Sequence, residues 1–158
     1  MMKTTTLEMN PVLLQNAAFS NEPEWLQTLR KQAWQQIPTL AMPVFAKINY
    51  HSWPLLAFTN QPALNVTVPE SIQNDASGYQ FASLGQLVVK TALPDELATQ
   101  GVILCDMGTA IHQHSDLVRK FLFQKAVHVD ENRLTAVNAA LLNGGAFLYV
   151  PDNVEVKA

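Results

Sequence analysis

Asn138-Ala139-Ala140-Leu141-Leu142-Asn143-Gly144-Gly145-Ala146-Phe147-Leu148-Tyr149-Val150-Pro151-Asp152-Asn153-Val154-Glu155-Val156 is the stretch that decides how this chain is read. It predicts the end of a helix, a glycine break, an apolar strand, a turn and a second strand. Asn143-Gly144-Gly145 supplies residues that enter the left-handed region at little cost, which is how many helices stop. Residues 146–150 form a short unbroken apolar run, the pattern of a strand covered on both faces. Pro151 cannot donate to a ladder, and Pro151-Asp152-Asn153 carries turn chemistry. Val154 and Val156 then alternate with Glu155 and Lys157, the period of a strand with one wet face. The sequence given ends at Ala158, where sheet is predicted to begin.

Upstream of this stretch, Asp130 is expected to cap a helix whose buried stripe is Leu134, Val137 and Leu141. Residues 127–129 read as a brief strand. Ser115 caps another helix, with Leu117, Val118, Phe121 and Leu122 on one face, and a short helix precedes it near residues 109–113. Residues 102–105 are a four-residue apolar run, read as a buried strand. Pro94-Asp95-Glu96-Leu97 opens a short helix, its carboxylates at the positive end of the dipole, and Gly101 closes it. Residues 79–82 and 86–89 read as strands around a turn or bulge at Gly85. Strand–helix–strand order predicts a small mixed or parallel sheet flanked by helices.

Toward the start the signals thin out. Residues 1–18 show no period, and a frayed terminus is expected. Asn21 and Glu24 have capping-box spacing ahead of a helix on which Trp25, Leu29, Ala33 and Ile37 repeat at i+4, ended by Pro38. Trp25 and Trp34 read as core packing. Residues 44–50 read as extended, inside a segment rich in proline and aromatics whose simplest reading is a packed loop. Residues 64–68 alternate as a strand, and 70–78 are polar loop.

Composition narrows the function classes. With 158 residues and 48% hydrophobic content the chain can bury one core. A net charge of −3 argues against nucleic acid. One cysteine excludes an internal disulfide and fits a reducing, cytoplasmic setting. Apolar windows at 48–69 and 134–151 are broken by Pro54, Pro62 and Gly144-Gly145, so no membrane span is expected.

No residue set proposes an active site, a cofactor site or a metal site. Cys105 alone cannot hold a cluster that needs about four ligands, and it is expected to be buried and inert. His112 and His114 stand two apart, which on a helix sends them to different faces; with His128 they lack a cysteine or carboxylate at ligand spacing. His51 stands alone. Gly144-Gly145 follows a helix, whereas phosphate loops precede one. Asp95 with Glu96 and Asp130 with Glu131 are explained by helix starts. There is no Gly-x-Ser-x-Gly elbow.

The helix–Gly-Gly–strand–Val150-Pro151 segment, led by Glu131-Asn132-Arg133-Leu134-Thr135-Ala136, closely resembles the SufB/SufD family of iron–sulfur cluster assembly proteins. Residues 101–106 and 114–121 fit the same family in order, and Lys47-Ile48-Asn49-Tyr50-His51-Ser52-Trp53-Pro54 resembles a stretch after its first helix. The resemblance is closer to the SufD branch than to SufB. It implies an α+β, helix-rich N-terminal domain with a small mixed sheet, ending in the first strands of a right-handed β-helix. The domain reading is then a frayed 1–18, an N-terminal domain at 19–143, and β-helix strands at 144–158 cut from a longer protein. It also implies a non-enzymatic role with SufB-like and SufC-like subunits, with ATP belonging to SufC. An unpaired β-helix edge predicts a homodimer through residues 146–156. Two alternatives stand beside this: a stand-alone ligand-binding or catalytic α+β domain, favoured by a pocket of His112, His114 and Cys105, and the SufB paralogue.

Overall fold

Prolines and glycines punctuate the chain into short elements. The computed structural model describes residues 11–19, 21–50, 52–56, 67–73 and 80–156. In chain order these form α1 (Pro11–Ala17), α2 (Glu24–Gln36), α3 (Glu70–Gln73), β1 (Gln80–Leu84), β2 (Leu87–Ala92) and α4 (Asp95–Thr99). They continue with β3 (Ile103–Asp106), α5 (Met107–Gln113), α6 (Ser115–Phe121), α7 (Arg133–Leu141) and β4 (Ala146–Tyr149). The fold class is α+β. The chain divides into two units, Met1–Pro62 with Arg119–Leu142 and Ala63–Val118 with Asn143–Ala158.

The first unit is helical. Helix α1 forms where the sequence shows no period and a frayed terminus is expected. The buried face of α2 is Leu26, Arg30, Ala33 and Ile37. That face is rotated from the expected Trp25–Leu29–Ala33–Ile37 stripe, whose first two members are half-buried. A stripe counted at i+4 alone drifts around a helix of 3.6 residues per turn, and i+3 steps correct it. The expected Asn21–Glu24 capping box does not form. Asn21 sits at φ 52, and Pro23 takes the N-cap position with no side-chain hydrogen bond.

Ala33 and Ile37 pack on Ala136, Val137, Ala139 and Ala140 of α7. Four small residues on facing turns let two helices approach closely, and Leu29, Trp34, Leu40 and Leu141 close around them. The α7 stripe therefore differs from the expected one, since Leu134 and Leu141 are only half-buried. Its cap differs too. Asn132, not Asp130, accepts from the amides of Leu134 (2.9 Å) and Thr135 (3.1 Å), while Thr135 Oγ1 accepts from Asn132 N–H at 3.0 Å. A capping box satisfies donors at both of its ends, which a single carboxylate two residues earlier does not.

Residues 127–129 and 44–50 make no ladder. The latter fold on themselves instead: Ile48 N–H donates to Phe45 O at 3.3 Å, and the Tyr50 hydroxyl donates to Pro43 O. The Tyr50 ring meets Phe45 edge-on, with centroids 5.7 Å apart.

The second unit holds the strands. β1 and β2 form an antiparallel hairpin turning at Gly85 (φ 62), with its register shifted between Ala82 and Ser83. Helix α3 occupies 70–73, where polar loop is expected; residues 64–66, 74–79 and His51 lie outside the described residues. Pro94 opens α4 and Gly101, at φ 86, closes it. β3 pairs antiparallel with β4, Ile103 opposite Tyr149 and Asp106 opposite Ala146.

Among the described residues the sheets are two antiparallel pairs rather than a mixed or parallel sheet. Helices between two strands give connections long enough for either direction, so element order alone does not fix it. The strand β4 alternates along its length: Phe147 and Tyr149 are half-buried, while Ala146 and Leu148 face out, Leu148 at 62% exposure. It is not covered on both faces, and β3 is half-buried throughout. The turn after β4 forms as its residues dictate, with Val154 N–H on Pro151 O at 3.3 Å and Asn153 at φ 64. Residues 154–156 pair with no strand among the described residues.

Candidate functional site

The C-terminal carbonyls of a helix have no intrahelical donor. At the end of α7 an arginine supplies them. Arg30, at 2% exposure, donates from Nη1 to Ala140 O at 2.8 Å and from Nη2 to Leu142 O, with a longer bond to Ala17 O at 3.4 Å. Its Nε donates to Glu22 Oε1 at 2.8 Å, and the guanidinium lies 5.6 Å from the Phe19 ring centroid. Glu22 is held in turn: its carboxylate accepts from Phe19 N–H at 3.4 Å, and its carbonyl accepts from the Gln27 amide at 2.8 Å. A buried charge needs a counter-ion and its hydrogen bonds filled. Arg30 has both.

In the second unit the Asn143-Gly144-Gly145 break is held by the hairpin turn. The Asn143 amide donates to the Gln86 side chain. Gly144 lies so close to Gln86 that a Cβ there would meet its carbonyl oxygen at 2.8 Å. Gly145 takes φ 139, open to glycine and strained for other residues, and its carbonyl accepts from Met107 N–H at 2.9 Å. Asp106, at the end of β3, caps α5: its Oδ1 accepts from Thr109 N–H at 2.8 Å and its Oδ2 from the Thr109 hydroxyl at 2.5 Å. Burial alone would raise the Asp106 carboxyl. The hydrogen bonds from the Thr109 hydroxyl and backbone outweigh it and hold the group below its ordinary value.

Cys105 is a free thiol and half-buried rather than buried, placed opposite Phe147 in the β3–β4 ladder. Burial pushes the thiol up, and the Asp106 charge adds to that, so the nucleophilic thiolate is disfavoured. His112 is exposed in the last turn of α5, and His114 stacks on Phe147 with centroids 6.4 Å apart. His128 is exposed in the first unit. Among the described residues no three His, Cys, Asp or Glu side chains gather closely enough for a metal. A groove of about 640 Å³ is lined by residues 41–45 with Glu131, Asn132, Leu134, Thr135 and Asn138, and by none of Cys105, His112 or His114. Asp95 and Glu96 lie in the first turn of α4, whereas Asp130 and Glu131 precede the cap of α7.

Each unit has one such arrangement: in the first a helix end received by a buried ion pair, in the second a glycine break leading into a strand. The SufBD protein N-terminal region matches residues 73–158, more than half of the chain, a range that holds α7 and the glycine break but neither Glu22 nor Arg30. The chain belongs to the SufBD family. Over 148 residues it is 39% identical to the iron–sulfur cluster assembly protein SufD of Bacillus subtilis, covering 86% of this chain and 34% of that protein. An iron–sulfur cluster assembly SufBD family protein of Synechocystis is 28% identical over 162 residues, covering 88% of this chain and 34% of its own length. A third, from Staphylococcus aureus, is 26% identical over 155 residues, covering 86% and 33%. The chain therefore spans about a third of the length of these relatives. Within the family it is most like SufD. Sequence reading missed Arg30, whose one signal was a cation set i+4 from Leu26 and i−3 from Ala33.

Proposed function

We propose that the chain serves iron–sulfur cluster assembly as the N-terminal region of a SufD-like subunit, working with SufB-like and SufC-like subunits in the cytoplasm. Its role in this reading is structural and non-catalytic. The observation that carries it is the family match over residues 73–158 together with the 39% identity to a SufD. Packing supports the same reading, because the buried polar pair among the described residues, Glu22 and Arg30, fixes a helix end rather than lining a site. In this reading the boundary lies at 143–144, and β4 is the first strand of a right-handed β-helix.

Co-expression with the SufB-like and SufC-like proteins of the same source tests this. The expected result is a complex that co-elutes on size exclusion, and loss of cluster-enzyme activity in cells when the gene is deleted. No complex and no such loss would overturn the reading.

The alternate exposure of β4 adds a second expectation. Among the described residues β4 hydrogen-bonds only β3, and Leu148 stands out on it. An apolar strand edge pairs with other chains, so the 158-residue chain forms a homodimer through residues 146–156. Sedimentation should show dimer for the chain and monomer for Leu148→Lys; a dimer unchanged by that lysine and by deletion of 146–158 would count against edge pairing.

A further inference from the structure

Residues 119–128 of the first unit carry three of the chain's ten Lys and Arg residues and none of its thirteen Asp and Glu. Only Leu122 and Phe123 in this segment turn partly inward, and Phe123 packs against the α2–α7 core at φ 54. The rest faces solvent. Phe121 is 41% exposed, with Lys120 Nζ 5.2 Å and Lys125 Nζ 5.6 Å from its ring centroid. No carboxylate among the described residues pairs with Arg119, Lys120 or Lys125. The helix dipole accounts for cations in the last turn of α6. It accounts neither for Lys125, which lies beyond the helix, nor for a phenyl ring left at the surface beside two ammonium groups.

We propose that this patch docks an acidic segment of a partner protein, one presenting two carboxylates on either side of an aliphatic side chain. The carboxylates pair with Lys120 and Lys125, and the aliphatic group covers the Phe121 ring. Charge selects this occupant. The segment holds three cations and no carboxylate on a chain of net charge −3, so a short acidic segment gains attraction there. A nucleic-acid strand would have to carry a long run of phosphates across a chain of net charge −3 that offers only three cations in this segment. An anionic bilayer meets the same net charge. The inference stands on this surface alone and does not rest on the assembly role.

The test is fluorescence anisotropy on the whole chain. Its probe is a labelled helical peptide with glutamates at i and i+4 around a leucine. The comparison ligands are its glutamine counterpart, phosphatidylglycerol vesicles and a single-stranded oligonucleotide. Saturable binding of the glutamate peptide, weakened by salt, is expected. Lys120→Glu with Lys125→Glu should weaken it by roughly tenfold or more. Lys120→Gln with Lys125→Gln should weaken it less, Phe121→Ala should weaken it severalfold, and the double arginine variant should retain it. Because these side chains are exposed, circular dichroism of each variant should match the parent. No saturable binding of the glutamate peptide, equal binding of the glutamine peptide, indifference to the charge reversals, or preference for vesicles or the oligonucleotide would each overturn the proposal.

Discussion

Arg30 is the residue on which the first unit depends most. Its charge is fully buried, with one carboxylate and three carbonyls as partners. Removing the Glu22 carboxylate strands that charge. Glu22→Leu should cost about 3–5 kcal/mol in urea unfolding. The double variant Glu22→Leu with Arg30→Met should cost less than the two single changes added together, because the second removes the charge that the first left unpaired. A strictly additive cycle would mean that the pair is not coupled. Asp106 offers a smaller, pH-dependent case. Its folded carboxyl is held below the ordinary value, so its contribution is complete above the unfolded carboxyl's pKa and disappears as pH falls through the lower folded value. Asp106→Ala should cost about 1 kcal/mol at neutral pH. Its deficit relative to the parent should shrink in acid, as thermal unfolding across pH would show.

Elements were readable where punctuation was local. Gly101, Gly85 and Pro151-Asp152-Asn153 each mark the turn that their chemistry predicts. Helix α7 was also legible, but its cap was misplaced by two residues because Asp130 and Asn132 are both competent and only the reciprocal Thr135 bond decides between them. The direction of β3 against β4 was not legible, since pairing lives between segments forty residues apart. Gly144 carries a consequence at this scale. A methyl group there meets backbone, which gives way less readily than a side-chain tip. Gly144→Ala should destabilise the second unit by roughly 1–3 kcal/mol and speed hydrogen exchange at the β3–β4 amides. Unchanged exchange would show that the Gln86 turn moves aside freely.

At the scale of the molecule, the α+β class and the family were both readable from residues 101–156, where helix ends, glycines and strands follow one another at short range. The candidate site was half legible. The glycine break of the second unit is written in adjacent residues, while the ion pair of the first unit joins positions 22 and 30 to 140 and 142 and leaves no local pattern. Chemistry follows the same division: one half-buried thiol and scattered histidines give no ligand set among the described residues. After anaerobic incubation with iron and sulfide, the isolated chain should retain no cluster absorption in the visible range, and Cys105→Ser should look the same. Cluster absorption lost in Cys105→Ser would reveal a site shared between chains.

The first unit is assembled from two pieces of sequence, with residues 63–118 of the second unit lying between them. During synthesis α2 emerges with Glu22 and Arg30 already in place, yet the carbonyls that complete the arginine's shell are 110 and 112 residues further on. At roughly 5–20 residues per second, the ribosome takes on the order of ten seconds to deliver them. Through that interval the guanidinium stays hydrated and the apolar face of α2 has no α7 to cover it. The nascent chain therefore passes through an obligatory open stage, in which the second unit can begin to fold before the first one closes.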